Sequence, residues 1–181
     1  MDIYKLKFTT LQQEIFRLLC IKASFSLNQR GVARMLKVSP TAIAKSIRKL
    51  EKEKLVKVKK SETMNLMSIE LNRDNEKAIA LKRVENLKLI YESEIIELLE
   101  EKFPGSAIIL FGSYSRGEDT VNSDIDIAII GSKEKEINLT EFYKKFERTI
   151  FLHFYPSLKD IHKELRENIC NGIVLVGGIG L

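Results

Sequence analysis

Residues 106–131 read SAIILFGSYSRGEDTVNSDIDIAIIG, and this stretch decides the fold of the C-terminal half. Residues 106–111 form an apolar run between Pro104-Gly105 and Gly112-Ser113, which predicts a buried strand. Residues 124–130 alternate. Asp124 and Asp126 project from one face of a second strand, and Ile125, Ile127 and Ile129 from the other. Two carboxylates so placed repel each other unless something positive lies between them. A hard divalent ion such as Mg²⁺ suits an all-oxygen set. The Gly112-Ser113 turn offers close backbone approach and free N–H groups, Ser113 adds a hydroxyl, and Arg116 adds a forked cation. Phosphate grip beside paired carboxylates is the equipment of metal-assisted phosphoryl or nucleotidyl transfer. The stretch is not a P-loop, because Arg116-Gly117-Glu118 stands where Gly-Lys-Ser/Thr is required. Gly177-Gly178-Ile179-Gly180 neither follows the right strand nor opens a helix, so it is no dinucleotide fingerprint.

The rest of the chain is read outward from there. Its 181 residues allow one or two domains, and 44% hydrophobic with 30% charged residues excludes wholesale disorder. MDIYKLKFTT shows no secretory pattern, no apolar run approaches the ~18 residues of a membrane span, and no membrane association is expected. Cys20 and Cys170 make no CxxC pair and no zinc spacing. They read as small core residues in a reduced, cytoplasmic protein. Charge is divided unevenly. Residues 1–75 carry 16 Lys and Arg against 7 Asp and Glu, a net of +9, while residues 76–181 carry 14 against 18, a net of −4. Two modules with different partners follow, the basic one suited to a polyanion.

In the basic module, Leu11, Ile15, Leu18 and Leu19 fall at helical spacing over residues 10–21. Ser26 or Asn28 can cap a second helix over residues 30–36. Ser39-Pro40 is a helix start, followed by the buried stripe Ile43, Ile47 and Leu50. After Leu55 the period changes to two, a polar turn stands at residues 61–63, and a second strand is expected over 64–71. The spacing of Ala33, Leu36, Val38, Ser39, Thr41, Ile47 and Leu50 resembles that of bacterial and archaeal winged helix-turn-helix regulators. The resemblance places Pro40, Thr41, Ala44, Lys45 and Arg48 at double-stranded DNA, and Lys57, Lys59 and Lys60 on a wing beside phosphates. Lys54 departs from the pattern, which often has glycine there as a left-handed helix stop. A winged helix packing on protein instead of DNA is the competing reading.

Residues 72–103 lack Gly and Pro, and Leu81, Val84, Tyr91, Ile95 and Leu98 follow a 3–4 spacing that Lys88 interrupts. One amphipathic helix, or two in sequence, is expected, ended by Phe103-Pro104-Gly105. The interruption favours packing on the next domain, with pairing into a homodimer as the other option.

The arrangement Gly112-Ser113, ten residues, then Asp124-x-Asp126 resembles the defining motif of the polymerase-β-like nucleotidyltransferases, and specifically the minimal ones, over residues 103–176. The resemblance implies that Gly112 and Ser113 bind the triphosphate of a nucleotide, ATP by expectation. It implies that Asp124 and Asp126 bind two Mg²⁺ ions, that Arg116 assists the phosphates, and that pyrophosphate leaves as an acceptor hydroxyl attacks. Such proteins often partner small helical toxins. The family usually has a third carboxylate on a following strand. Here a helix over 139–148 leads to a strand over 149–155, TIFLHFY, without Asp or Glu. Three readings follow: Glu147 supplies the carboxylate if the strand begins earlier, His153 acts as base, or the site binds without efficient transfer. For His153 alone, a packed or surface role is the plainer reading. Residues 158–167 read as a helix and 171–176 as a closing strand.

The fold class is therefore α+β: a winged helix-turn-helix over 1–72, a connecting helix over 73–103, and a small mixed α/β nucleotidyltransferase domain over 104–181. Two functions compete. One is transfer of AMP to a hydroxyl of a protein, RNA or small molecule, in an autoregulating antitoxin. The other is a DNA-binding regulator whose second domain senses nucleotide or a partner.

Overall fold

The computed structural model describes residues 7–60 and 67–178, and the chain divides into two compact units, Met1–Ile79 and Ala80–Leu181. In the first unit, α1 (Thr10–Ile21) opens on a capping box: Gln12 N–H donates to Thr9 Oγ1 at 3.3 Å, and Thr9 N–H to Gln12 Oε1 at 3.0 Å. A two-residue strand, β1 (Leu27–Asn28), precedes α2 (Gln29–Met35), and Asn28 Oδ1 caps that helix by accepting from Gly31 N–H at 2.7 Å. The helix α3 (Pro40–Lys52) starts at Ser39, whose Oγ accepts from Ala42 N–H at 3.2 Å. Strands β2 (Val56–Lys60) and β3 (Met67–Leu71) complete an antiparallel sheet of order β1-β3-β2. The expected turn at 61–63 and residues 64–66 of the expected strand lie outside the described residues. Ile15, Leu19, Ile43, Leu50, Leu55 and Ile69 form the core. Helix, helix, turn, helix and hairpin make this a winged helix-turn-helix.

The turn before α3 and the exit from it use one device. Lys37 and Lys54 both have positive φ, 54° and 58°. After each helix the N–H two residues past the cap reaches back five residues: Val38 to Ala33 O at 3.0 Å, and Leu55 to Leu50 O at 3.0 Å. These are Schellman ends, each with a lysine at the left-handed position. Thus the helix before the wing stops as a glycine would stop it, at the cost of a side chain in that conformation.

The second unit takes most of α4 (Glu76–Glu92), then α5 (Ile95–Lys102). Of the two alternatives, one helix or two in sequence, the second is found. Glu94 has φ 68°, and Ser93 Oγ donates to Ile90 O at 2.8 Å while accepting from Ile95 N–H at 3.3 Å. Next come β4 (Ala107–Phe111), the short α6 (Gly112–Arg116), β5 (Ile125–Ile130), α7 (Thr140–Phe146) and β6 (Ile150–Tyr155). A 3-10 turn (Leu158–Asp160), α8 (Lys163–Cys170) and β7 (Ile173–Val176) finish the chain, so the helix expected over 158–167 is divided. The sheet runs β6-β5-β4-β7, with β5 and β6 parallel and the other pairs antiparallel. One face, with Ile108, Leu110, Ile125, Ile127 and Ile129, packs under Ile95, Leu99 and Phe146. The other, with Ile109, Phe111 and Ala128, is covered by Leu158, Ile161 and Ile169.

The buried face of α4 differs from the expected stripe. Val84 and Tyr91 are 60% and 51% exposed, whereas Lys82, Asn86 and Ile90, at i, i+4 and i+8, are buried. Two polar residues are buried there because they have partners. Lys82 Nζ and Asn86 Nδ2 both donate to Asp119 Oδ1, the latter at 2.7 Å, and Asn86 Nδ2 also donates to Tyr114 O at 2.9 Å. Arg148 lies 3.5 Å from Asp119 Oδ2. The cluster ties α4 to the loop between α6 and β5.

Two stability measurements follow. Lys54→Gly removes the left-handed strain and should raise stability by about 1 kcal/mol in urea unfolding. Asp119→Ala removes the carboxylate that Lys82 and Arg148 face and should cost about 3–5 kcal/mol, most of it recovered when Lys82→Met is added.

Candidate functional site

Antiparallel pairing of β4 with β5 sets Phe111 opposite Asp126, which brings the residue after β4 against that carboxylate. Gly112 has φ +74°, and a Cβ built on it would lie 2.7 Å from Asp126 Oδ2. Only glycine meets both conditions without displacing the carboxylate. Ser113 is half-buried in the first turn of α6, whose end is fixed by Gly117 at φ 76° and by Glu118 N–H donating to Ser113 O at 3.0 Å. A turn at Thr120–Ser123, where Thr120 N–H donates to Ser123 Oγ at 2.9 Å, delivers the exposed Asp124 one residue before β5. Gly112, Ser113, Asp124 and Asp126 thus gather where β4 ends and β5 begins. Arg116 belongs to the same loop, but its guanidinium engages Glu118 at 2.8 Å and Asn168 of α8 at 3.2 Å.

The strand β6 starts at Ile150, so Glu147 is not part of it. Glu147 has φ 53° and ends α7, lining an open cleft with Asp124, Tyr143, Arg148 and Thr149. His153, in contrast, meets Asp126 directly. Its Nε2 shares a hydrogen bond with Asp126 Oδ1 at 3.0 Å, and its ring stands edge-on to Phe111 with centroids 5.2 Å apart. Among the described residues no three His, Cys, Asp or Glu side chains converge as they stand on one metal position. The donor set nevertheless fits a divalent ion: Asp126 Oδ2 faces space that Gly112 leaves empty, and Asp124 is exposed two residues upstream.

In the first unit Pro40, Thr41, Lys45 and Arg48 are exposed on α3 and Ala44 is half-buried. Gln29 Nε2 donates to Pro40 O at 2.6 Å, fixing the start of α3 against α2. The wing lysines have local acids. Lys57 pairs with Asp74, which holds that carboxyl below its ordinary range, and Lys59 pairs with Glu70 at 3.0 Å. The side chain of Lys60 lies outside the described residues. Elsewhere in the unit, hydrogen bonds from Lys7 and Lys77 hold the Glu53 carboxyl down to about 2.

Sequence reasoning found the aspartates and the turn but missed the α4 cluster and the pairing of His153 with Asp126. A lysine and an asparagine four residues apart on an otherwise amphipathic helix were the available signal for the cluster.

Residues 92–176 match the family described as nucleotidyltransferase domain. A stretch of 40 residues is 52% identical to a Methanocaldococcus jannaschii protein carrying a protein adenylyltransferase name, covering 21% of this chain and 40% of that one. Another of 47 residues is 45% identical to the protein adenylyltransferase MntA of Shewanella oneidensis, covering 25% of this chain and 34% of that one. The chain thus spans well under half the length of these relatives. Among solved structures, the adhesin competence repressor of Streptococcus pyogenes superposes over 56% of this chain and 72% of its own, with 22% identity and a TM-score of 0.42.

Glycine substitutions separate close approach from backbone strain. Gly105 has a similar φ, +79°, with nothing within 4 Å of a built Cβ. Gly105→Ala should cost about 1 kcal/mol and Gly112→Ala up to about 3 kcal/mol in thermal unfolding, the difference measuring the contact with Asp126.

Proposed function

We propose that this chain, whose residues 92–176 form a nucleotidyltransferase domain, transfers AMP from ATP to a hydroxyl on a protein. The observation that carries the reading is the seat of Gly112 against Asp126 beside an exposed Asp124. The N–H groups opening α6 and the Ser113 hydroxyl would hold the β- and γ-phosphates. Asp124 and Asp126 would hold the divalent ions, expected from the carboxylate pair to be Mg²⁺. When bound, the metal supplies charge neutralisation at the α-phosphorus and on the departing pyrophosphate. The acceptor oxygen bonds to the α-phosphorus as the bond to the bridging oxygen breaks, and the hydroxyl proton passes to a base. The names of the relatives support a protein acceptor. Paired with the DNA-binding unit, this activity fits an autoregulating antitoxin acting in the cytoplasm on a small helical partner. Among the described residues no helix is long and apolar enough to cross a membrane.

One observation favours a second reading. The strand β6, IFLHFY, carries no carboxylate, which suits a regulator that binds nucleotide without turning it over. Incubation of α-labelled ATP and a divalent ion with cell extract separates the two. Label should enter a protein band with wild type and fall about 100-fold or more with Asp124→Asn or Asp126→Asn. No label, with ATP binding intact by calorimetry, would establish the second reading.

For the first unit we propose binding to double-stranded DNA, with α3 in the major groove. The exposed ion pairs of Lys57 and Lys59 are weak enough to exchange for phosphates. Arg48→Ala should weaken binding to the upstream DNA by about 1–3 kcal/mol and relax its sequence preference. Lys59→Ala should weaken all sequences alike and lower the salt slope by about 1, both read by fluorescence anisotropy.

A further inference from the structure

We infer that His153 is a metal ligand of this site, standing where the third carboxylate of a nucleotidyltransferase is expected, and that it turns the site towards first-row transition ions. The inference rests on the nucleotidyl-transfer reading of Asp124 and Asp126 and deepens it.

The strand β6 lies parallel beside β5, with Phe151 opposite Asp126 and His153 opposite Ala128. Alternation puts Phe151, His153 and Tyr155 on the face that carries the aspartates. Of these, His153 turns towards Asp126 and brings Nε2 to 3.0 Å from Oδ1. Ligand atoms about 2.1 Å from one metal and at right angles to each other stand about 3.0 Å apart. The spacing that makes a hydrogen bond here is also that of two adjacent coordination positions. The ring is held for the purpose. Phe111 stands edge-on to it at 5.2 Å, and Phe151, 48% exposed, lies 6.5 Å away on its other side. The imidazole is about one-third exposed, so an ion reaches it from solvent. Asp124, exposed one residue before β5, supplies a third donor by turning about its own side-chain bonds.

The metal preference follows from the donor set. Carboxylates alone suit Mg²⁺, which takes oxygen ligands in a strict octahedron. An added imidazole nitrogen moves the set towards the Irving–Williams series, in which Mn²⁺ is the weakest member and Zn²⁺ and Co²⁺ bind more tightly. This site should therefore bind Mn²⁺ ahead of Mg²⁺, which no carboxylate count predicts.

The test is calorimetric titration of the full chain with MnCl₂ and with MgCl₂, without nucleotide. It compares wild type with His153→Ala, His153→Asp and Asp126→Asn, each checked for folding by circular dichroism. Wild type should bind Mn²⁺ about tenfold or more tighter than Mg²⁺, and His153→Ala should lose about tenfold on Mn²⁺ with little change on Mg²⁺. His153→Asp should shrink the Mn²⁺ preference by restoring an all-oxygen set, which suits both ions. The chain has two histidines, and His162 is exposed just before α8, so substoichiometric Mn²⁺ should broaden the imidazole resonances of His153 and leave those of His162 sharp. If His153→Ala keeps full Mn²⁺ affinity while Asp126→Asn loses it, His153 is only a hydrogen-bond partner of the aspartate and the inference falls. If Asp126→Asn also leaves binding unchanged, or wild type binds neither ion, the metal reading of the aspartates falls with it.

Discussion

The antiparallel pairing of β4 with β5 is the constraint on which the candidate site depends. It sets Phe111 opposite Asp126, so the residue that leaves β4 must pass the aspartate's carboxylate at van der Waals distance. That residue has to be glycine, and it has to leave with positive φ, which turns the chain into α6. One register therefore fixes three things together: the identity of Gly112, the direction of the turn that follows, and the placing of a carboxylate beside free backbone N–H groups. A slip of one residue in β5 would send Asp124 and Asp126 to the opposite face, among Ile108, Leu110 and Leu99.

The loop between α6 and β5 needs a second anchor, because eight residues separate Arg116 from Ile125. Asp119 provides it. Burying a carboxylate is unfavourable unless charge and hydrogen bonds meet it, and α4 supplies both in Lys82 and Asn86. The helix that the sequence presents as a connector thereby becomes part of the wall that holds the Gly112-Ser113 turn and Asp124 in place. Its burial is polar where it meets the loop, at Lys82 and Asn86, and apolar further on at Ile90, a face that α5 continues with Ile95 and Leu99.

This division explains what could be read from the chain and what could not. Asp124-x-Asp126 and Gly112-Ser113 announce themselves because their signals are local: a two-residue period, a glycine at a strand end, a fixed gap. The start of α3 was equally plain, since Ser39 and Pro40 cap a helix by their own chemistry. The buried face of α4 was read wrongly because periodicity counts apolar residues. Lys82 looks like surface until its partner, 37 residues away, is known. Lys54 shows the reverse error of emphasis. Lysine at a left-handed position is costly but not forbidden, and the six-to-one bond from Leu55 to Leu50 holds it there. The meeting of His153 with Asp126 needs the parallel register of β5 and β6, a pairing that no short window of sequence specifies.

Charge completes the account of how the two units differ. The N-terminal residues carry a net of +9, a positive excess that suits a polyanion even though Lys57 and Lys59 already have acids beside them. The C-terminal residues carry a net of −4, and two of their carboxylates stand close together at the site. Arg116, the cation of the Gly112-Ser113 turn, is engaged with Glu118 and Asn168. On the nucleotidyl-transfer reading proposed above, a nucleoside triphosphate would meet a field of its own sign, which the backbone N–H groups of α6 are too weakly positive to outweigh. A divalent ion on Asp124 and Asp126 would reverse that sign. On that reading the ion that neutralises the aspartates would also open the Gly112-Ser113 turn to phosphate, so metal bound first would strengthen nucleotide binding.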